Sequence, residues 1–226
     1  MRVNAQYNVA KPESLAVRVA GYQRRKMFEQ FVKKMEIGAG ESIADVGATS
    51  DRTYEHSNYL EAWYPQKQAI TAVGIDDASF LEAAYPGMTF LRADGRDLPF
   101  ADRSFDFVHS SAVLEHVGNA ENQTKFLREL RRIARKGVFV TTPNRWFPVE
   151  FHTVLPLVHW LPATMFRKLL VALGKGFFAL EENLNLVSPG QLHRLASRAG
   201  YADHLVSFVS IFGWPTNLIL SWRVQR

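Results

Sequence analysis

The stretch that decides the fold is Ser42-Ile43-Ala44-Asp45-Val46-Gly47, a short apolar strand that ends in an acidic residue and a glycine. A second β-rich run, residues 69–75, is followed in the same way by Asp76, and a segment of helical character separates the two runs. Strands separated by helices pair in parallel, and the ligands of such sheets bind at the carboxyl ends of the strands. Asp45, Gly47 and Asp76 are therefore the first candidate binding residues.

The alternation of strands and helices continues along the rest of the chain. Seven strands are predicted, at residues 42–46, 69–75, 88–93, 105–109, 138–142, 206–211 and 217–224. Helices are predicted at residues 14–35, 57–64, 78–84 and 121–135, and a capping box formed by Ser188 and Gln191 opens another. Only Gly213-Trp214-Pro215 separates the last two strands, so these two must be antiparallel. The predicted fold class is α/β, with a mostly parallel sheet that ends in an antiparallel hairpin.

Composition limits the classes of protein that fit. The 226 residues suffice for one domain, residues 1–226, in which residues 1–40 form an N-terminal helical extension. A hydrophobic fraction of 47% and a charged fraction of 22% exclude a disordered chain. The absence of cysteine excludes disulfides, thiolate metal sites and cysteine nucleophiles. A net charge of +5 leaves nucleic acid, an anionic membrane, an acidic small molecule or no special partner open.

No membrane-spanning segment or leader is predicted. Residues 1–10 lack an apolar core, and the longest uncharged apolar stretch, residues 151–166, is shorter than the ~18–20 residues that a membrane helix needs. We therefore expect a soluble cytoplasmic protein. Residues 154–180 are apolar with interspersed Arg167, Lys168 and Lys175, which leaves peripheral contact at the inner membrane face open.

The most specific run is residues 94–108, which reads Asp-Gly-x-x-Leu-Pro-Phe-x-Asp-x-Ser-Phe-Asp-x-Val. Ala112-Val113-Leu114-Glu115-His116-Val117 follows it closely. Over residues 42–142 the chain resembles the class I S-adenosylmethionine-dependent methyltransferases, in particular their small-molecule, type 11-like branch. The resemblance implies a Rossmann-like, seven-stranded sheet in three αβα layers, S-adenosyl-L-methionine as cofactor, and methyl transfer as the reaction.

The resemblance also implies a role for individual residues. Asp45, Gly47, Ala48 and Thr49 would line the methionine end of the cofactor, and Asp76 would bind the ribose hydroxyls. Asp94 would face the adenine amino group, with the Gly95 backbone beside the ring. Ser110 and Ser111 would lie near the sulfonium.

The first loop departs from the family pattern. Members usually carry Gly-x-Gly after the acid, whereas this chain continues Gly47-Ala48-Thr49-Ser50-Asp51. One hypothesis is that Asp51 pairs with the ammonium group of the cofactor. The other is that the loop is remodelled and that the affinity for the cofactor is weak or lost.

The segment of residues 143–187 breaks the alternation at the carboxyl end of the fifth strand. It mixes aromatic residues with a few polar groups, as substrate pockets do, and we interpret it as a lid that binds the acceptor. The candidate substrate-binding residues are Asn144, Arg145, Trp146, Glu150 and His159. The alternative is that the aromatic residues cap the core while Arg145 and Glu150 form a surface pair.

His116 and His152 are the candidate catalytic bases, because an unperturbed histidine titrates at ~6.5 and suits proton transfer near neutral pH. No pair of histidines has the spacing of metal ligands, so no metal is expected.

The predicted function is methyl transfer to a small-molecule, lipid-linked or glycan acceptor, with an oxygen favoured as the methylated atom. A non-catalytic binding module of the same fold and an RNA methyltransferase are the alternatives. A dinucleotide oxidoreductase would need a Gly-x-Gly-x-x-Gly loop, which the sequence lacks. Nucleic acid is not an expected partner, because the basic clusters lack interleaved aromatic residues. The sequence leaves the oligomeric state open.

Overall fold

Seven strands form one mixed sheet in the computed structural model, which describes residues 15–54 and 56–224. The strands run in the order β3-β2-β1-β4-β5-β7-β6, and their bounds are β1 Ile43–Val46, β2 Ile70–Gly74, β3 Thr89–Arg92, β4 Phe105–Ser111, β5 Ala134–Pro143, β6 Leu205–Ile211 and β7 Trp214–Arg223. Strands β1 to β5 pair in parallel, and β7 pairs antiparallel with both β5 and β6. The predicted fold class is thereby confirmed. The predicted helix start at Ser14 lies outside the described residues, as do residues 1–10, where no leader is predicted.

Helices flank both faces of this sheet. Their bounds are α1 Leu15–Met35, α2 Tyr59–Trp63, α3 Phe80–Ala84, α4 Ala120–Ile133, α5 Ala163–Ala172, α6 Gly176–Ala179 and α7 Pro189–Arg198. Short 3₁₀ turns cover Lys67–Ala69, Leu114–His116 and Val158–Trp160. The predicted capping box is confirmed, because the Ser188 hydroxyl accepts from the Gln191 amide and the Gln191 side chain accepts from the Ser188 amide.

The end of α4 differs from the prediction. The apolar period predicted a helix up to Arg135, but α4 ends at Ile133 and β5 begins at Ala134 without a loop. Ala134 already pairs with Phe105 of β4, and the Arg135 guanidinium lies 2.9 Å from the Asp106 carboxylate. Sheet pairing and this ion pair therefore outweigh the local helical propensity.

The core consists of two layers, one on each face of the sheet. One face packs against α4 and α7 through buried residues that include Phe126, Leu127, Leu130, Ile133, Leu192 and Leu195. The other packs against α1, α2 and α3 through Met27, Phe31, Met35, Tyr59, Leu60 and Leu81. The apolar stripes of these helices explain why they cover the sheet, and together the layers form an αβα sandwich.

The segment between β5 and α7 has a small core of its own. Five of its residues are buried against each other: Phe166, Leu170, Phe178, Leu184 and Leu186. One backbone hydrogen bond ties the start of the segment to β7, from the Asn144 amide to Thr216, and another joins the two ends of the segment, from the Arg145 amide to Val187. The segment therefore stands on the carboxyl edge of β5. No helix among the described residues has the length and apolarity needed to cross a bilayer.

Asp106 joins the amino ends of three central strands. Its carboxylate accepts from the Ser42 amide at 3.0 Å and lies within ion-pair distance of Arg135 and Lys136. Burial alone would raise the pKa of Asp106, but the Ser42 hydrogen bond and the two cations hold it below its usual value. The acid therefore stabilises the fold from within β4.

Asp106→Asn should lower the free energy of unfolding at pH 7 by about 1–2 kcal/mol, because hydrogen bonds to a charged group are lost. The folded pKa is depressed, so this contribution is present above the unfolded pKa of about 3.9 and vanishes as the pH falls through the folded pKa. Urea unfolding at pH 7 and pH 3 measures the difference, which should shrink at pH 3. Asp102→Asn is the control, since its exposed pair with Arg132 is worth less than about 1 kcal/mol. Equal losses for Asp106→Asn at both pH values would contradict this account.

Candidate functional site

A cavity of about 370 Å³ opens at the carboxyl ends of β1, β2 and β4. Eight of the residues predicted from the sequence line it: Gly47, Ala48, Thr49, Asp94, Gly95, Ser111, His116 and His152. Its volume falls within the range of small-molecule sites. The cavity therefore brings together the predicted cofactor loop and both predicted catalytic histidines.

The two predicted glycines are required by packing at the cavity wall. Gly47 has a φ of +120°, and a Cβ on it would lie 2.0 Å from Val113 Cγ2. A Cβ on Gly95 would lie 2.6 Å from the Phe126 ring. Any larger residue at position 47 or 95 would push the turn after β4 or α4 away from the cavity.

The loop after β1 is held in one conformation by hydrogen bonds of its own. The Asn58 side chain accepts from the Thr49 amide at 2.8 Å and donates to the Thr49 carbonyl at 3.0 Å. Asp51 is buried and its carboxylate accepts from the Thr53 amide at 2.8 Å. Thr49 lines the cavity but Asp51 does not, so the hypothesis that Asp51 pairs with the cofactor ammonium has no support from its position.

Asp76 follows Gly74 and Ile75, which line the cavity at the end of β2. The residue is only 8% exposed, and its Oδ2 atom has no hydrogen-bond partner within residues 15–54 and 56–224. Burial raises the pKa of this carboxyl, and Arg92 partly offsets the effect. A buried acceptor without a partner costs free energy unless a ligand donates to it, as two ribose hydroxyls would.

Asp94 lines the cavity at the end of β3 but already has a protein partner. Its carboxylate forms a two-pronged pair with the Arg96 guanidinium, in which the Nη2–Oδ2 distance is 2.6 Å. This hydrogen bond to Arg96 holds the pKa of Asp94 below its usual value. A carboxylate has about four acceptor positions, so the pair leaves room for one more donor such as an adenine amino group.

Asp45 and Ser110 do not line the cavity. Asp45 lies opposite His109 in the β1–β4 pair, and its carboxylate is 2.5 Å from His109 Nδ1. Tyr59 contacts the other ring nitrogen of His109 at 2.9 Å, and all three side chains are buried. Ser110 donates to the Val46 carbonyl at 2.6 Å. Both residues therefore support the loop from behind, and the cofactor contacts implied for them stay predictions.

Burial sets the charges in this group. It raises the pKa of Asp45 to about 6 and lowers that of His109 to about 4. His109 is accordingly neutral at pH 7 and donates its Nδ1 hydrogen to the Asp45 carboxylate. The sequence analysis missed His109 and Tyr59, although the pairing of β1 with β4 places His109 next to Asp45.

Arg24 is a further cavity residue that the sequence analysis missed. It belongs to α1 and lines the cavity together with Thr49 and Ser57. Burial lowers the pKa of its guanidinium, which Tyr59 and Tyr54 partly oppose. Arg24 lies on the face of α1 that points to the cavity, whereas the neighbouring Arg25 is exposed. A single sequence does not show which of two adjacent arginines points inward.

His116 and His152 meet in the cavity lining. Their Nε2 atoms are 3.1 Å apart, although His116 follows β4 and His152 belongs to the segment after β5. His152 Nδ1 lies 2.7 Å from Glu150, and His116 Nδ1 lies 2.7 Å from the Asn183 carbonyl. The site thus contains a supported pair of imidazoles.

The charges around this pair follow from burial and from the carboxylates. Burial opposes the charged form of His152, but Glu150 outweighs it and raises the pKa above its usual value. Burial and the neighbouring His152 lower the pKa of His116 to about 3. For Glu150, burial is outweighed by His152 and hydrogen bonds, which lower its pKa to about 2.

The remaining predicted substrate-binding residues lie away from the cavity lining and hold the segment after β5 together. The Asn144 side chain donates to the Pro215 carbonyl, and Arg145 donates to the Leu161 carbonyl at 3.1 Å. His159 Nε2 contacts the Phe147 carbonyl, and Trp146 is 46% exposed. Glu150 reaches the cavity only through His152. Contact of these residues with an acceptor therefore stays a prediction.

Comparison with known proteins shows similarity to methyltransferases in both sequence and fold. Residues 46–141 match the family model described as "Methyltransferase domain". Methyltransferase GfsG of Streptomyces halstedii is 25% identical over 122 residues, which cover 50% of this chain and 40% of GfsG. The chain spans less than half the length of the curated relatives it matches.

Solved structures share the fold at low identity. An S-adenosylmethionine-dependent methyltransferase from Thermotoga maritima aligns over 92% of this chain and 91% of its own, with a TM-score of 0.58 and 15% identity. The CurJ carbon methyltransferase aligns over 93% of this chain and 55% of its own, with a TM-score of 0.61 and 13% identity. The chain therefore shares its fold with these S-adenosylmethionine-dependent methyltransferases, and residues 46–141 are similar to the methyltransferase-domain family.

Proposed function

We propose that this protein transfers a methyl group from S-adenosyl-L-methionine to an oxygen of a small, lipid-linked or glycan acceptor. The observation that carries the proposal is one open cavity whose lining includes Asp94 and Gly95 together with the His116 and His152 pair. Residues proposed for the cofactor and residues proposed for the acceptor thereby share one cavity.

The residues present fit the cofactor. The Oδ2 atom of Asp76 has no hydrogen-bond partner among the described residues, so it suits the ribose hydroxyls. Asp94 has an acceptor position left for the adenine amino group. Arg24, which lines the cavity beside Thr49, offers a cation to the carboxylate at the methionine end. When bound, S-adenosylmethionine supplies a methyl group on a sulfonium, an electrophile that an acceptor lone pair attacks to leave a neutral thioether.

Ser111, Ala112 and Val113, at the end of β4, also line the cavity. Their chain turns sharply after β4, because Ala112 adopts a φ of 55° and its amide donates to Thr141. The protein's main contribution is then to align the acceptor oxygen with the methyl carbon and to exclude water.

His116 and His152 supply the polar groups at the acceptor end. Both line the cavity, and their orientation is fixed by Asn183 and Glu150. In this proposal the pair acts on the acceptor hydroxyl, either by accepting its proton or by holding the oxygen in its deprotonated form. A hydroxyl acceptor requires one of these, because a neutral hydroxyl is a weak nucleophile.

The basic side chains give no support to a nucleic-acid acceptor. Arg132 pairs with Glu129 and Asp102, Arg135 pairs with Asp106, and Arg131 lies over the Trp222 ring. A cluster whose charges are already paired within the protein offers little to phosphates.

A lipid-linked acceptor is supported by the exposed side chains of the segment after β5. Met165, Val171 and Leu173 are each at least half exposed, and Arg167 and Lys168 lie among them on or beside α5. Apolar side chains with interspersed cations are typical of segments that rest on an anionic membrane. We therefore propose peripheral membrane contact through α5.

Asp76→Asn should weaken the binding of S-adenosylmethionine about 10- to 100-fold, because a charge-assisted hydrogen bond is worth about 1.5–3 kcal/mol. Calorimetry on the two purified proteins measures the change. Asp77→Asn is the matched control, since Asp77 is exposed and its carboxylate accepts from the Ser79 amide. Equal affinities for Asp76→Asn and the parent protein would contradict the assignment of Asp76 to the ribose.

His116→Ala and His152→Ala should each reduce turnover about 10²- to 10⁴-fold if the pair acts on the acceptor proton. Release of S-adenosylhomocysteine in the presence of phenols, hydroxylated lipids and glycans provides the assay. Cofactor affinity should change little, and His193→Ala, an exposed histidine distant in sequence, should behave like the parent. Turnover at the parent level in both cavity variants would refute the role of the pair. Cofactor binding without turnover on any acceptor would favour a non-catalytic binding module.

Vesicles that contain anionic phospholipid should bind the protein in a sedimentation assay. Val171→Asp should reduce that binding about 10-fold or more, because burying an apolar side chain is worth about 1.5–3 kcal/mol. Val32→Asp on α1 is the control, since Val32 is also exposed but lies on another part of the molecule. Absence of sedimentation, or equal effects of the two substitutions, would contradict membrane contact through α5.

A further inference from the structure

Three side chains with metal-binding atoms meet in the cavity wall. Ligand atoms of Glu115, His116 and His152 all lie within 4.8 Å of one another. His116 Nε2 is 3.1 Å from His152 Nε2 and 3.8 Å from Glu115 Oε1. Glu115 and His116 belong to the 3₁₀ turn after β4, whereas His152 comes from the segment after β5. Because the fold rather than a short motif brings them together, the sequence spacing predicted no metal.

The hydrogen bonds of the two imidazoles determine where their hydrogens lie. His116 Nδ1 faces the Asn183 carbonyl and His152 Nδ1 faces the Glu150 carboxylate, each at 2.7 Å. Both oxygens are acceptors only, so each Nδ1 carries the hydrogen. In two neutral rings, both Nε2 atoms would then direct lone pairs toward each other across 3.1 Å. That arrangement is repulsive unless a positive charge, either a shared proton or a metal ion, lies between the two nitrogens.

Glu115 points to the same conclusion independently. Its side chain is fully buried, and its Oε2 atom accepts from the Thr142 hydroxyl at 2.9 Å. Its Oε1 atom accepts no hydrogen bond within the described residues and lies on the side of His116 Nε2. A buried carboxylate oxygen without a partner is costly, and a bound cation would remove that cost.

We propose that Glu115, His116 and His152 bind a divalent transition-metal ion in the wall of the cavity. Tetrahedral ligands at the Zn–N distance of 2.0–2.1 Å are about 3.3 Å apart, so the observed separations require only small side-chain adjustments. The partners of the distal ring nitrogens, a carboxylate and a backbone carbonyl, are those that histidine ligands of metals normally have. Two imidazoles and one carboxylate suit Zn²⁺, Fe²⁺ or Co²⁺ better than Mg²⁺.

The role of such an ion rests on the proposed function. Three protein ligands leave at least one coordination position, and His116 and His152 both line the cavity. A hydroxyl, phenol or carboxylate oxygen of the acceptor would take that position. The ion would lower the pKa of a bound hydroxyl and hold its oxygen in the cavity.

Metal binding is tested without cofactor or acceptor. Protein dialysed against a chelator is titrated with Zn²⁺ by calorimetry and with Co²⁺ by visible absorption. We expect one ion per chain, and at least a 100-fold loss of affinity in His152→Gln and in Glu115→Gln. Glu150→Gln, which alters only the support of His152, should weaken binding about 10- to 100-fold.

The chain provides a matched control in a second histidine pair. His193 Nδ1 and His204 Nε2 are 2.8 Å apart at an exposed position on α7 and the loop before β6. His193→Gln should leave the affinity for Zn²⁺ unchanged. Should a cavity variant fail to fold, X-ray absorption of the Zn²⁺-loaded parent protein decides the question, since it should show two imidazoles and a carboxylate oxygen.

The failure of this inference can be told apart from failure of the proposed function. Substoichiometric binding by the parent protein, affinity that His152→Gln leaves unchanged, or affinity that His193→Gln abolishes would overturn the metal site. A shared proton between the imidazoles would then explain their short distance, and methyl transfer could still occur. A metal-loaded protein that binds no S-adenosylmethionine would instead overturn the proposed function and leave the metal site intact.

Discussion

The register between β1 and β4 is the constraint on which the site depends. It places Asp45 opposite His109, where the two side chains and Tyr59 form a buried hydrogen-bonded chain. The cofactor loop begins two residues after Asp45, and the turn that carries Glu115 and His116 begins a few residues after His109. A shift of one residue would turn the side chains of the shifted strand to the opposite face of the sheet, so that Asp45 and His109 would no longer meet and Gly47 would be separated from Val113. The pairing of β1 with β4 therefore fixes the distance between the loop after β1 and the turn that carries Glu115 and His116.

Burial makes this register strict. Asp45 and His109 are both less than a tenth exposed, so each loses its hydration and needs the other as a partner. Phe31 from α1 packs edge-on against the His109 ring, and Phe139 of β5 stacks on it. The contact thus links the helical layer, the two central strands and β5. It also explains why Asp45, which is predicted to bind the cofactor, lies behind the loop and outside the cavity lining.

The features set by local patterns could be predicted from the sequence. Neighbouring residues determine three such features, and the structure contains all of them: the alternating strands and helices, the short turn before β7 and the capping box of α7. The end of α4 was missed because pairing of Ala134 with Phe105 is a long-range effect. Within the site, positions close to a strand end, such as Gly47, Asp94 and Ser111, were placed well because parallel strands share one edge. Residues 143–187 follow no such rule, and the contacts of Asn144, Arg145 and His159 with an acceptor stay predictions. In the structure these side chains form hydrogen bonds with backbone carbonyls.

The same limit explains what was missing from the predicted site. Arg24 lies on a long helix, and which face of that helix points inward depends on packing. Glu115 is a candidate metal ligand only because the fold places His152, from a distant segment, close to it. Tertiary contacts of this kind cannot be predicted from the hydrophobic periodicity of a single sequence. The residues Thr49 and Asp51, which depart from the family's Gly-x-Gly pattern, are in contrast held by contacts within the loop region. Asn58 hydrogen-bonds Thr49, and Asp51 closes a turn with Thr53. A loop fixed in this way can keep the cofactor without a second glycine.

The central claim is that this cavity holds S-adenosylmethionine despite the altered loop. Calorimetric titration of the parent protein with S-adenosylmethionine tests it most directly. The account predicts one site per chain with a dissociation constant in the range of about 1 μM to 1 mM, as substrates of enzymes commonly show. No heat and no thermal shift at millimolar cofactor would contradict it.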